Sequence, residues 1–346
     1  GGGKKLRIKY GVDPTRPDIH LGHAVSMWKL KELQDAGHTI IFLIGDYTTK
    51  IGDPSGRNTT RPVLSDEEIK ENAKTYFEQV GKILDVSKTE IRYNSEWYEK
   101  MDFNDILQIA GKFTVAQIIE RDDFEKRLKN KTDIGLHELF YPLMQAYDSV
   151  ILEADVEFGG NDQKFNMLAG RNLQKKMGQT PQDIFITKLL VGLDGKVKMS
   201  KSADNYIAIT ESADSMFGKI MSIPDEAMEM YFELCSHLSN EEIIEIKKKL
   251  KDGTNPRDIK AYLAERIVEI YHGKDESKRA MEEFFKIFSK KELPTDIPKV
   301  SLEGTFSMIL LLKELGVCDS NSEAKRFQEI GFKLKYELPA DFKGWF

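Results

Sequence analysis

Two histidines three residues apart, in His20-Leu21-Gly22-His23, follow the turn Asp13-Pro14-Thr15. On the first turn of a helix both imidazoles can face one phosphate, and the helix start adds unpaired N–H groups and the positive end of its dipole. Gly22 carries no side chain, which lets a flat base or a ribose lie against the backbone. An isolated H-x-x-H more often marks two surface histidines. Its place directly after a strand and a D-P-T turn favours the phosphate reading. A second cationic cluster, Lys198-Met199-Ser200-Lys201-Ser202, follows the turn signal Asp194-Gly195. Two lysines three apart among small or flexible residues make a mobile loop that can close on a triphosphate and stabilise charge on departing pyrophosphate. The competing reading is a solvated basic loop.

Tyr141, Gln145 and Asp148 stand at i, i+4 and i+7, one face of a helix. Their neighbours Leu139, Phe140, Leu143, Met144 and Tyr147 are apolar or aromatic. The polar stripe is therefore an exposed face or the lining of a pocket, and the apolar character of the rest favours the pocket. A carboxylate buried there must be paired or hydrogen-bonded, a need that a phenol O–H meets. In Phe158-Gly159-Gly160-Asn161-Asp162-Gln163 the glycines allow a ligand close to the backbone. A plain turn with solvated polar residues is the alternative.

These side chains need a scaffold. Leu6, Ile8, Tyr10 and Val12 alternate with other residues, as in a strand. The two prolines in Asp13-Pro14-Thr15-Arg16-Pro17 end it. From His20 to Ala36 the apolar Leu21, Val25, Trp28, Leu30 and Leu33 follow a helical period, closed by Gly37. Ile40-Ile41-Phe42-Leu43-Ile44 is a continuous apolar run, the mark of a strand buried on both faces in a parallel sheet. Strand, helix and buried strand make a βαβ unit, in which ligands collect beyond the strand ends. The series continues with a capping box, Ser65 with Glu68, opening a helix through Ile83. A strand at 90–93, several helices to Asp148, a strand at 156–158, a helix carrying Phe165 and Leu168, and a strand at 184–190 follow. From Ser212 to Lys291 the pattern is helical, with a second capping box at Ser239 and Glu242 and Pro256 near a helix start. Residues 291–300 contain Pro294 and Pro298 and read as a linker. The expected fold class is α/β. A Rossmann-type parallel-sheet domain spans 1–208, an α-helical domain 209–291, a linker 292–300 and a small α+β unit 301–346.

A chain of 346 residues, 40% hydrophobic and 31% charged, can bury a substantial core. Cys235 and Cys318 are far apart in sequence and have no Cys or His partner at metal-ligand spacing. A disulfide framework, a cysteine zinc site and a dedicated metal site are not expected, and a reducing cytoplasm is. No apolar run is long enough to span a bilayer, and no stretch reads as a secretory signal. Gly1-Gly2-Gly3 reads as a trimmed or appended start and is left out of the fold argument. With a net charge of -6, any contact with nucleic acid must use local basic patches. The lysine-rich runs 126–131 and 247–249 read as solvated helix faces.

His20-Leu21-Gly22-His23 is similar to the HIGH motif, and Lys198-Met199-Ser200-Lys201-Ser202 reads letter for letter as KMSKS. In this order, on a Rossmann-type pattern, they resemble the class I aminoacyl-tRNA synthetases. The run Tyr141-Pro142-Leu143-Met144-Gln145-Ala146-Tyr147-Asp148 resembles the tyrosine-pocket helix of the bacterial tyrosyl-tRNA synthetases, and the resemblance extends from Leu6 to about Phe288. It implies an enzyme that activates L-tyrosine with ATP, giving tyrosyl-adenylate and pyrophosphate. The tyrosyl group then passes to the 3′-terminal ribose of tRNA(Tyr). It further implies a cytoplasmic homodimer that takes Mg2+ with its ATP and holds no tightly bound cofactor. A tryptophanyl-tRNA synthetase shares the fold and both motifs. A synthetase-derived RNA-binding protein without catalysis is the competitor from another class.

The same resemblance distributes roles. His20, His23, Lys198 and Lys201 are the expected catalytic residues. Asp13, Thr15, Gly22, Gly160, Asp162, Met199, Ser200 and Ser202 are expected around ATP, assisted by Arg57 and Arg61. Asp53, Tyr141, Gln145, Asp148 and Gln163 are expected around tyrosine, with Asp148 accepting from the phenol. Lys9 stands where many of these enzymes place a tyrosine that supports the phenol site. Residues 301–346 resemble an S4-type RNA-binding fold through Ser322-Glu323-Ala324-Lys325-Arg326 and Gly331-Phe332-Lys333-Leu334-Lys335. That implies phosphate contacts by Lys325, Arg326, Lys333 and Lys335, which position an RNA without reading it.

Overall fold

The computed structural model describes residues 3–15, 18–54 and 64–290. Arg57 and Arg61 and the whole of 301–346, with Lys325, Arg326, Lys333 and Lys335, lie outside the described residues, as does the side chain of Ser202. The description that follows concerns the compact unit that ends at Lys290.

Five parallel strands form one sheet in the order β3-β2-β1-β4-β5. They are β1 (Arg7–Val12), β2 (Thr39–Ile44), β3 (Thr89–Tyr93), β4 (Val156–Gly160) and β5 (Asp183–Thr187). The chain builds β1, β2 and β3 outward on one side, then returns to lay β4 and β5 on the other side of β1. The reversal puts a topological switch point between β1 and β4, where a crevice opens beyond the carboxyl ends of the strands. Ile40 through Ile44 are all buried, as a strand covered on both faces requires.

The first helices are α1 (Leu21–Asp35), α2 (Asp66–Val80), α3 (Ser95–Tyr98), α4 (Phe103–Ala110), α5 (Val115–Ile119), α6 (Asp122–Lys129), α7 (Tyr141–Ile151) and α8 (Lys164–Lys176). The all-helical stretch follows: α9 (Ala213–Ser222), α10 (Met228–Cys235), α11 (Asn240–Lys251), α12 (Pro256–His272) and α13 (Lys274–Lys290). Both expected capping boxes form, Ser65 with Glu68 and Ser239 with Glu242, and each satisfies orphan N–H groups reciprocally. Pro256 opens α12, where its missing N–H costs nothing. One apolar core joins Ile8, Tyr10 and Phe42 of the sheet and Met27 of α1 to Phe217, Tyr231 and Leu263 of the helical stretch. The change of element type near Ala208 is therefore crossed by a shared core. On the opposite face α7 packs along α8, with Phe124, Leu143, Ala146 and Leu173 buried together.

Two readings need correction. The last strand ends at Thr187, earlier than the apolar run to Leu190, because Leu190 leaves the sheet and its carbonyl accepts from Met199 N at 2.8 Å. The run 126–131 is not simply a solvated face. Arg127 is 1% exposed and its guanidinium holds Glu138 at 2.6 and 3.0 Å, an ion pair that keeps a long cation inside. Lys247 does lie at the surface, paired with Glu229 and Glu233.

Candidate active site

His20 is the residue before α1, at the carboxyl end of β1's connection, and the chain after the lysine cluster comes back to it. Leu21 N donates to Ile207 O at 3.0 Å and Ile209 N to Ile19 O at 2.9 Å, so His20 and Ala208 pair antiparallel. This short ladder joins segments almost two hundred positions apart and brings the histidine pair and the lysine cluster to one end of the crevice. The rings of His20 and His23 stack at 3.7 Å. Burial disfavours the charged imidazolium of His20, and Lys201 and Lys198 beside it push the same way, lowering its pKa to about 3. His23 is held well below the usual value by burial, then by His20 and the same lysines. Both rings are therefore neutral at pH 7 and offer N–H donors without charge. His20 Nδ1 is buried and has no hydrogen-bond partner among the described residues. Gly22 lies against the His20 ring. A Cβ there would stand 3.0 Å from the His20 ring, so the glycine makes room for that ring.

The lysine cluster makes contacts on both sides of the crevice. Met199 is buried, and Ser200 N donates to Asn205 Oδ1 at 2.9 Å. Asn205 Nδ2 in turn donates to Asp194 Oδ2 at 2.7 Å. That bond, with the Val197 and Lys196 amides, lowers the Asp194 pKa to about 2. Lys201 is buried, donates to Tyr76 Oη at 2.7 Å and lies over the same ring at 4.9 Å. Lys198 reaches the other wall, 2.5 Å from Asp162 Oδ2.

Across the crevice, Tyr141 Oη donates to Asp13 Oδ2 at 2.8 Å and Thr48 Oγ1 to Asp13 Oδ1 at 2.9 Å. A Cβ on Gly45 would run into both that carboxylate and the Thr48 hydroxyl. Thr15 N closes the turn on Asp13 O at 2.8 Å. Asp53 accepts from Arg121 Nη2 at 3.0 Å and from Gln163 Nε2 at 2.7 Å, so two expected tyrosine-site residues meet directly. Gly160 leaves space that the Asp162 carboxylate and Leu189 use.

Asp148 is enclosed more fully than the sequence suggests. It is 2% exposed and accepts from Trp97 Nε1 at 3.0 Å, with Asn94 Nδ2 at 3.5 Å and the Tyr98 hydroxyl also against it. Desolvation raises its pKa to about 7 against the pull of Lys9 and these donors. The Asn94 contact is at the limit of a hydrogen bond. Gln145 points to Glu157, to which its Nε2 donates at 3.1 Å. The structure thus pairs Tyr141 with Asp13 and Gln163 with Asp53 beyond the carboxyl ends of the central strands, while Asp148 and Gln145 sit within partnered networks. Gly45, Thr48, Tyr76, Asn94, Trp97 and Arg121 belong to the same region and escaped the sequence reading. Gly45 and Asn94 had a signal, since each directly follows a strand whose carboxyl end faces the crevice. Arg121 and Tyr76 carried none.

Fold and site define a parallel-sheet α/β protein in which the histidine pair and the lysine cluster meet at one end of the crevice. The sequence model described as tRNA synthetases class I (W and Y) matches residues 2–289, and the chain belongs to that family. Within it the chain is 51% identical to the tyrosine–tRNA ligase of Thermotoga maritima, over 94% of this chain and 82% of that protein. It is 52% identical to the tyrosine–tRNA ligase of Francisella tularensis, over 98% and 86%. Among solved structures it is similar to the tyrosyl-tRNA synthetase of Archaeoglobus fulgidus complexed with L-tyrosine, with a TM-score of 0.64 and 25% identity, over 80% of this chain and 90% of that one. The tryptophanyl-tRNA synthetase of Plasmodium falciparum shares the fold with a TM-score of 0.62 at 17% identity, over 81% of this chain and 80% of that one. The fold by itself therefore does not choose between the two amino acids.

Proposed function

We infer that the chain is a tyrosine–tRNA ligase. It activates L-tyrosine with ATP to tyrosyl-adenylate and pyrophosphate, then transfers the tyrosyl group to tRNA(Tyr). Tyrosine, ATP and tRNA are its substrates. The observation that carries the reading of the site is the pairing of His20 with Ala208, which sets His20 and His23 beside Lys201. The tyrosine carboxylate attacks the α-phosphorus and pyrophosphate departs, so the chemistry needs no nucleophilic side chain. It needs alignment and stabilisation of charge. The neutral His20 and His23 donate hydrogen bonds to phosphate. Lys198 and Lys201, with Met199, Ser200 and Ser202 shaping their loop, neutralise the leaving group. Asp13, Thr15, Gly22, Gly160 and Asp162 surround the nucleotide. Asp53, Tyr141, Gln145 and Gln163 receive the amino acid, and Asp148 reads its hydroxyl. Mg2+ arrives on the ATP phosphates, held by them and by water.

Residues 301–346 serve as an S4-like unit meeting tRNA phosphates through Lys325, Arg326, Lys333 and Lys335, and 209–291 faces the anticodon side. The protein works in the cytoplasm. Among the described residues no helix is long and apolar enough to cross a membrane. Self-association as a homodimer is supported by exposed Phe103, Leu107 and Leu136, which flank an apolar cavity lined by Ile106, Ile109, Phe140 and Leu143. Phe103→Asp is expected to leave a monomer in sedimentation.

Pyrophosphate exchange into ATP tests the function. Tyrosine supports exchange and tryptophan does not. Exchange with tryptophan alone would make the chain a tryptophanyl enzyme, and exchange with neither would make it a non-catalytic RNA-binding relative.

A further inference from the structure

Lys9 and Glu157 face each other directly in register across β1 and β4, both almost wholly buried, with Nζ to Oε1 at 2.9 Å. Each is saturated. The three protons of the ammonium meet Glu157, the Gln145 carbonyl at 3.0 Å and the Ser149 hydroxyl at 2.8 Å. The carboxylate also receives Gln145 Nε2 at 3.1 Å, Ser149 Oγ at 3.2 Å and Gln182 Nε2 at 2.5 Å. Two of these contacts hold the backbone and side chain of one residue, Gln145.

An amide group can present either end. A carboxylate only accepts, so Glu157 fixes the NH2 end of Gln145 and turns its carbonyl oxygen elsewhere as an acceptor. A substrate α-ammonium is a donor that such an oxygen suits. A neutral partner at position 157 could donate as well as accept, and the amide would then be free to turn over. We propose that the buried Lys9–Glu157 pair is a positioning device for tyrosine binding, locking the amide orientation of Gln145 from behind. Glu157 thereby acts on the amino-acid site through Gln145 without touching substrate, while Lys9 acts through Glu157 and, separately, through its charge on Asp148. The proposal rests on the reading that Gln145 lies in the tyrosine site.

The test is steady-state pyrophosphate exchange with three variants, together with thermal melts. Gln145→Ala tests the underlying reading and raises the tyrosine KM by about tenfold or more. Glu157→Gln, equal in shape, raises the tyrosine KM by about tenfold, with kcat and the ATP KM within about threefold. The double variant Lys9→Met/Glu157→Met replaces the pair by apolar groups. It leaves the buried Gln145 and Gln182 amides without their Glu157 acceptor, so it melts below the parent, and it shows the raised tyrosine KM. A merely structural pair predicts lowered melting temperatures with a tyrosine KM like the parent's in both Glu157 variants. If Gln145→Ala weakens binding while Glu157→Gln and the double variant bind tyrosine as the parent does, the positioning role is overturned and the site stands. If Gln145→Ala has no effect, both readings fall. If neither Glu157 variant folds, the pair is a folding element and the positioning role is overturned as well.

Discussion

Lys198 Nζ lies 2.5 Å from Asp162 Oδ2, joining the lysine loop to the turn after β4 across the mouth of the crevice. The lysine is 45% exposed, so the pair contributes little to stability, about 0–1 kcal/mol. A contact that weak is readily exchanged when a nucleotide's ribose approaches Asp162 and its phosphates approach Lys198. Lys198→Ala should therefore leave the melting curve nearly unchanged and slow adenylate formation by about a hundredfold, measured in single turnovers. A large loss of stability without a loss of rate would show that the pair is structural.

Asp148 carries a buried charge whose pKa stands at about 7, above the ordinary carboxylate value. Its ionised form is unfavourable in the folded protein, fully so above pH 7, and the penalty fades as pH falls toward about 4. Asp148→Asn should thus stabilise the protein at pH 8, by at most about 4 kcal/mol, with the gain vanishing near pH 4. The same change should raise the tyrosine KM and narrow the discrimination against phenylalanine, because the phenol loses a charged acceptor. Chemical denaturation at the two pH values and competition between the two amino acids measure both effects.

The two imidazoles give a titration of the opposite kind. Their folded pKa values lie below the ordinary histidine value, that of His20 at about 3. The unfolded chain takes up their protons first as pH falls below about 6.5, so the stability they contribute is complete above that pH and is lost on the way to pH 3. Each contributes a slope of up to about 1.4 kcal/mol per pH unit in that window. A His20→Asn/His23→Asn variant should show a flatter dependence of unfolding free energy on pH between 6.5 and 4. An unchanged slope would mean that the rings are solvated and titrate normally.

Tyr141→Phe removes the hydroxyl that ties α7 to the turn after β1. Asp13 keeps its Thr48 partner, so the stability loss should be small, about 1 kcal/mol. The tyrosine KM should rise by about three- to tenfold, with the ATP KM less affected. An effect confined to ATP would place Tyr141 on the nucleotide side of the site.

The α/β order, the buried β2, the capping boxes and the helical stretch were legible because each rests on local chemistry: period, apolar runs and Ser–Glu pairs three apart. His20, His23, Lys198 and Lys201 were legible as a set because motif and element agree. The deeper site was not. Whether Asp148 meets a ligand or Trp97 depends on α3 folding over α7, a contact between segments about fifty positions apart. The same holds for Lys9. Its sequence position says only that a cation replaces a tyrosine, and Glu157 becomes its partner only when β4 is laid beside β1. Arg127 was misread for a related reason, since a lysine-rich helix gives no sign that one of its cations turns inward to Glu138.

A crystal structure with tyrosine and a non-hydrolysable ATP analogue tests the central claim most directly. The account predicts the phosphates between the His20 and His23 rings and the ammonium groups of Lys198 and Lys201, and the phenol oxygen on Asp148 in place of Asn94. Phosphates bound elsewhere, or a phenol directed away from α7, would contradict it.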